Sequence, residues 1–256
     1  MGLVLIDRPS DGVALVRLNR PEVRNALNLA TRKELATAFR GLADDATLRA
    51  VVLCGVDGNF SGGADIADMA RIGAVEMYHR HTERLWAAVG DCPVPVIAAV
   101  EGFALGGGLE LAMHCDMIVA ARGARLGQPE VRVGIMPGAG GTQRLLRAVG
   151  KFRAAWLCMT GETVTAEEAE RMGLISRMVE DGEAETEALA LAARIARMPP
   201  IAIAQIKEVM TLGADAPLPT ALALERKALQ LLFATADKSE GMHAFLEKRR
   251  PAYRGE

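Results

Sequence analysis

Val96–Asp116 reads VIAAVEGFALGGGLELAMHCD: a β-rich apolar run, a triple-glycine turn at Gly106, Gly107 and Gly108, and then a helix that carries Glu110. Strand, turn and helix in direct succession set an α/β class. Without Cβ atoms, the glycines let the chain take otherwise forbidden dihedrals and let a ligand approach the main chain. The helix leaves its first N–H groups unpaired, and the positive end of its dipole favours an anionic oxygen there. An acid/base residue within one turn of such a spot suggests enolate chemistry. The plain alternative is a tight connection with close helix packing.

Two further loops share this character. Gly127–Arg144, GQPEVRVGIMPGAGGTQR, holds Glu130 after Pro129 and then small residues at Gly138, Ala139, Gly140 and Gly141. Glu110 sits between Leu109 and Leu111, and Glu130 between Pro129 and Val131. Desolvation in such settings raises a carboxyl pKa toward the range useful for proton transfer, unless each glutamate simply points to solvent. Cys54–Met69, CGVDGNFSGGADIADM, follows a strand-like run and exposes main chain at Gly62 and Gly63, with Ala64 and Asp65 opening a short helix. It offers a second N–H donor for one developing oxyanion.

Away from these loops, Leu3–Ile6 and Val13–Leu18 read as strands joined by a Ser10-Asp11-Gly12 turn. Leu29–Leu42 reads as an amphipathic helix capped by Asn28. Val51–Cys54, Val96–Val100 and Met117–Ala121 read as strands, and Val75–Val89 as one helix ending near Gly90. Helical patterning dominates from Lys151. Pro199, Pro200, Pro217 and Pro219 divide the last part into separate helices. The pattern is a spiral α/β core at 1–182 followed by a helical region at 183–256.

Composition narrows the function class. The 256 residues are 50% hydrophobic and only 4% aromatic, so the core rests on aliphatic side chains and methionine. A formal charge of −2 gives no electrostatic reason to expect nucleic acid. Cys54, Cys92, Cys115 and Cys158 are widely spaced in apolar segments and read as reduced core thiols. His79 and His81 point to different sides of a helix while His114 and His243 are isolated, so no metal site is expected. Gly150-Lys151 precedes Phe152, which breaks the phosphate-loop pattern, and Gln143 stands where a dinucleotide fingerprint needs glycine. No targeting or membrane-spanning run is readable, and the expected location is cytoplasmic.

Six segments in order carry a resemblance over nearly the whole chain: LNRPEVRNALN (Leu18–Asn28), FSGGADIADM (Phe60–Met69), EGFALGGGLELAMHCD (Glu101–Asp116), GQPEVRVGIMPGAGGTQRL (Gly127–Leu145), TGETVTAEEAERMGLIS (Thr160–Ser176) and FLEKRRPAY (Phe245–Tyr253). The chain resembles the enoyl-CoA hydratase/isomerase, or crotonase, family. The resemblance implies a crotonase-type spiral of ββα units with a C-terminal helical trimerisation region, assembled as a trimer or a hexamer of two trimers. It implies a thioester oxygen held by the backbone N–H groups of Ala64 and Gly107. Glu130 would protonate the α-carbon, Glu110 would activate the water that attacks the β-carbon, and the Gly138 N–H would help hold that water. Coenzyme A, part of the substrate and not a cofactor, would run along Arg24, Ala26, Gly63, Ala64, Asp65, Ile66 and Gly107, with Lys248 a candidate phosphate partner. For Arg24 and Lys248, ordinary solvated charge is the competing reading.

Both glutamates are present, which resembles hydratases more than isomerases. The RPEVRNALN opening, the GIMPGAGGTQRL loop and the FLEKRRPAYRGE ending look like the phenylacetate-degradation type that hydrates 2,3-dehydroadipyl-CoA. Short-chain enoyl-CoA substrates, a Δ3,Δ2-enoyl-CoA isomerase and a non-catalytic CoA-binding scaffold stay open as alternatives.

Overall fold

The Asp11-Gly12 turn folds β1 (Val4–Ser10) back on β2 (Val13–Leu18), antiparallel, with Val4 opposite Leu18. In the computed structural model, which describes residues 2–256, the Asn28 side chain then caps α1 (Leu29–Ala43) by accepting the Thr31 amide at 2.8 Å. The chain continues through β3 (Ala50–Gly55), α2 (Ile66–Met69), α3 (Ala74–His79), α4 (Thr82–Gly90), β4 (Val96–Val100), β5 (Phe103–Leu105), α5 (Gly107–Ala112), β6 (Met117–Ala121) and β7 (Arg125–Gly127). A 3-10 turn at Pro129–Val133 leads to α6 (Gly141–Val149), α7 (Lys151–Thr160), β8 (Thr163–Thr165), α8 (Ala166–Met172), β9 (Arg177–Val179) and α9 (Ala184–Ala196). Three helices end the chain: α10 (Pro200–Gly213), α11 (Leu218–Leu232) and α12 (Ala236–Leu246).

Six strands form one sheet in the order β1-β2-β3-β4-β6-β9, parallel from β2 onward. Every residue of β4 is buried, as expected for a parallel strand covered on both faces. A second sheet, β5-β7-β8, lies beside it and pairs β5 with β7 in parallel. Phe39, Phe60, Leu53, Leu109 and Leu126 fill the larger core cluster. The opposite face of the main sheet, with Val13, Val52, Ile97 and Val119, is closed by Ala184, Ala188 and Ala192 of α9. The first helix beyond residue 182 therefore packs directly on the strands that precede it.

Several expected elements take different bounds. The single helix at Val75–Val89 is broken: His81 adopts a left-handed conformation (φ 43°) between α3 and α4. Next to the break, Arg80 bonds Glu76 within α3 and Asp68 of α2, each at 2.8 Å, and the second bond ties the end of α3 back onto α2. His81 is thus off the helix that carries His79. Ala64 and Asp65 do not open α2; Asp65 is its N-cap, accepting the Asp68 amide at 3.2 Å. Pro219 sits in the first turn of α11, where a missing N–H costs no helix bond. Two short strands, β8 and β9, interrupt the helical stretch after Lys151.

α10 and α11 bury no residue fully, and Ile206, Met210, Leu222, Leu229 and Phe245 stand exposed on the three terminal helices. No single described helix is long and apolar enough to cross a membrane.

Candidate active site

Two of the expected groups are backbone amides, placed by main-chain geometry. The Leu27 amide donates to the Gly63 carbonyl at 2.7 Å, and the Gly62 amide to the Arg24 carbonyl at 2.8 Å, so the 24–27 and 62–65 segments run together. Asn25, buried and itself left-handed (φ 55°), holds the turn through bonds to the Val56 and Asn59 carbonyls. This frame brings Ala64 against the start of α5: a methyl built on Gly107 would lie 3.5 Å from the Ala64 nitrogen. Among the described residues, neither the Ala64 nor the Gly107 N–H donates to a backbone or side-chain acceptor. Two unspent N–H donors therefore sit side by side.

Glu110 lies one turn into α5 and is 3% exposed. Its Oε1 accepts the Ala139 amide at 2.7 Å and the Gly141 amide at 2.8 Å. Burial raises its pKa above the ordinary carboxylate value; the Gly141, Ala139 and Gly138 amides and the Arg32 charge pull the other way. A Cβ on Gly141 would come 2.8 Å from that same oxygen, so the position must stay glycine for the carboxylate to sit there. The His114 ring Nδ1 lies 2.8 Å from the Glu110 carbonyl, and burial drives this histidine's pKa down to about 4, leaving it neutral at physiological pH.

Glu130 is on the 3-10 turn after β7. Burial pushes its pKa up to about 7, with the negative charge of Glu110 adding to the rise and its own backbone N–H opposing it. The carboxyl rests over Gly106, where φ is +50° and a Cβ would strike Glu130 Oε1 at 2.8 Å. The buried amide of Gln128, oriented to donate, reaches the two Glu130 oxygens at 3.0 and 3.1 Å and favours the ionised form.

Both carboxylates open on one cavity of about 450 Å³, together with Ala64, Gly107 and Gly138. Its volume is in the range of small-molecule sites. A larger cavity of about 600 Å³ lies elsewhere, between Glu83, His114, Arg144 and Asp215, and contains none of the paired amides or glutamates. Of the remaining expected residues, Gly63 adjoins the amide pair. Asp65 is committed to capping α2 and to an ion pair with Arg20 at 3.0 Å, and Ile66 is exposed beside it. Arg24 stacks over the Phe103 ring at 5.3 Å. Lys248 follows α12, is exposed, and lines no part of the cavity. Among the described residues no cluster of three His, Cys, Asp or Glu could hold a metal ion.

The sequence reading did not single out the Ala139 and Gly141 amides, the Gln128 amide, or Arg32 and Trp86 on the cavity wall. The PGAGG run signals the first pair, since a string of small residues exposes consecutive N–H groups. Arg32 and Trp86 are brought together only by the packing of α1 on α4.

Comparison with known proteins agrees across the chain. A family model described as enoyl-CoA hydratase/isomerase matches residues 8–256. A probable enoyl-CoA hydratase of Mycobacterium bovis is 42% identical over 250 residues, covering 98% of this chain and 97% of that protein. The 2,3-dehydroadipyl-CoA hydratase of Escherichia coli K12 is 42% identical over 243 residues, covering 95% of each. The crystal structure of an enoyl-CoA hydratase from Bacillus anthracis superimposes with a TM-score of 0.95 at 38% identity, covering 99% of this chain and all of that one.

Proposed function

The chain belongs to the enoyl-CoA hydratase/isomerase family and is a hydratase, a carbon–oxygen lyase, and on that footing we propose that Glu110 and Glu130 act on opposite ends of one double bond. The observation that carries this reading is the shared cavity: two desolvated carboxyls and two free backbone donors face the same space. The thioester oxygen of a 2-enoyl-CoA binds between the N–H groups of Ala64 and Gly107. Addition of water to the β-carbon builds negative charge on that oxygen, and preorganised donors stabilise the charge as it develops. Each donor of this kind is worth roughly 3 kcal/mol of barrier.

Glu110, whose carboxylate is fixed through Oε1, takes a proton from water through its other oxygen while the Gly138 N–H helps hold that water. The hydroxide adds to the β-carbon. Glu130, with a pKa of about 7, is substantially protonated at neutral pH and delivers its proton to the α-carbon. One proton is taken and one given, so the pair resets by a proton exchange between the two carboxyls or through solvent.

The pantetheine and adenine of coenzyme A follow the paired 24–27 and 62–65 segments, touching Ala26, Gly63, Asp65 and Ile66 through main chain and shape, with Arg24 and Lys248 as phosphate partners. Because Lys248 lies outside the cavity, its contact is with the outer, nucleotide end. The two carboxyls and the two backbone donors supply the acid, the base and the oxyanion stabilisation, so this chemistry needs no metal, and hydration, which moves no electrons, needs no redox cofactor. The exposed apolar faces of α10–α12 support assembly as a homotrimer or a dimer of trimers, and a cytoplasmic location fits this chemistry. The candidate substrates are 2,3-dehydroadipyl-CoA and short-chain 2-enoyl-CoA thioesters. Loss of the conjugated enoyl-thioester absorbance with crotonyl-CoA and 2,3-dehydroadipyl-CoA tests the reading: turnover of either is expected. Binding of both without turnover would replace it with a scaffold role, and turnover of β,γ-unsaturated thioesters alone with an isomerase.

A further inference from the structure

One cation in the cavity makes no ion pair with Glu110 or Glu130. Arg32 of α1 lines the wall beside Met69, Met77, Thr82 and Trp86, with its guanidinium 5.5 Å from the Trp86 ring centre. Among the described residues its side chain forms no ion pair, and its Nε is enclosed without a hydrogen-bond partner. The neighbouring guanidinium of Arg80 is neutralised by Asp68 and Glu76. Arg32 therefore has no bonded counter-ion: burial pulls its pKa below the ordinary arginine value, and the unbonded charges of Glu110 and Asp68 offset only part of that. Charges withdrawn from water are ordinarily paired, because desolvation without a partner is unfavourable. Glu110 acts on Arg32 only through its charge: the two form no ion pair, and Oε1 of Glu110 is bonded to two backbone amides.

We propose that Arg32 forms an anion-reading subsite of the acyl cavity and selects enoyl-CoA thioesters whose acyl chain ends in a carboxylate. The inference rests on the hydratase reading above. Ile135, Met136, Met69 and Met77 give the methylene chain an apolar wall, and the planar guanidinium can donate two N–H groups to one carboxylate. A terminal methyl offers no acceptor and leaves the half-buried cation without a bonded partner.

The test uses trans-2-hexenoyl-CoA and 2,3-dehydroadipyl-CoA, acyl chains of equal carbon number that differ at the terminus. Wild type is expected to favour the carboxylate-ended substrate in kcat/KM, and Arg32→Met to reduce that ratio by about thirtyfold or more. Arg32→Lys, which keeps the charge without the fork, should fall between them. Calorimetric binding of the saturated pair, adipyl-CoA and hexanoyl-CoA, to wild type should show the same preference without turnover. It also tests the subsite if Arg32→Met does not fold. A ratio near unity in wild type overturns the proposal. So does an unchanged ratio in Arg32→Met accompanied by a shifted pH profile, which would make Arg32 a positioning charge for Glu110. Absence of turnover with both substrates would fail the hydratase reading, while the binding preference would still decide the subsite.

Discussion

The loops of Glu110 and Glu130 face one cavity but hold their carboxyls by opposite means. Around Glu110 the protein is rigid main chain: α5 is buried along its length, and two amides from the start of α6 and the residues before it close on one oxygen. Around Glu130 it is a 3-10 turn whose Val131 and Val133 are exposed, with one side-chain amide as donor and a glycine surface beneath. One site surrounds its carboxylate with N–H groups and a nearby cation, which favour the charged form. The other adds a neighbouring anion to its desolvation, which favours the proton. Burial raises both pKa values, and the proposed mechanism assigns the base to the site that offsets the rise and the acid to the site that adds to it.

The largest test of this contrast is to remove each carboxyl separately. Glu110→Gln and Glu130→Gln should each lower kcat by about 10²–10⁴-fold, the span of general acid–base catalysis, with a much smaller effect on binding of a saturated acyl-CoA. Retained turnover in either variant, followed by enoyl absorbance, would remove that residue from the chemistry and collapse the comparison. A smaller effect comes from disturbing the frame and leaving the carboxyl. In Gly141→Ala the new methyl must displace Glu110 Oε1, from which it would otherwise stand 2.8 Å. A displacement of that kind costs roughly 10²-fold in kcat. An unperturbed rate would mean that the amide pair does not fix the base.

The smallest effect is on stability. Glu130 has a folded pKa of about 7, above the 4.5 of an unperturbed glutamate, so the folded state binds more protons than the unfolded state between those values. Its contribution is fully present below the unfolded pKa and is lost as pH rises through about 7. Glu130→Gln, which has no charge to desolvate, should therefore gain on wild type across that window and keep a constant advantage above it. Allowing for solvent screening of a partly exposed carboxyl, the plateau is ~1–2 kcal/mol. Thermal unfolding at several pH values measures it, and a difference independent of pH would place the Glu130 proton elsewhere.

Much of this was legible from side-chain pattern. β2, β4 and β6 lie where apolar runs put them, with Arg17 the one charge among the three strands, and α1 begins after its asparagine cap. The paired glutamates and glycine turns were readable because desolvation and missing Cβ atoms leave a signature in sequence. Three-residue strands such as β8 and β9 carry too few residues for a period, and they form because β7 and β6 offer them edges. The break at His81 was invisible because the bond beside it, Arg80 drawn onto Asp68 of α2, is a tertiary contact. In the site, the missed groups are two backbone donors, the Gln128 side-chain amide, and Arg32 and Trp86 on the wall. An amide has the same chemistry under any side chain, and Arg32 reads as surface charge until α4 covers it.

The chain holds two tryptophans, and only Trp86 is enclosed, stacked on His114 with ring centres 5.7 Å apart; Trp156 is exposed on α7. Replacing Trp156 by phenylalanine would leave a single indole at the cavity wall, under a guanidinium and against an imidazole that stays neutral well below neutral pH. The fold thereby carries its own optical gauge: the emission of one residue would report occupancy of the acyl space during a rapid-mixing experiment, with no label attached.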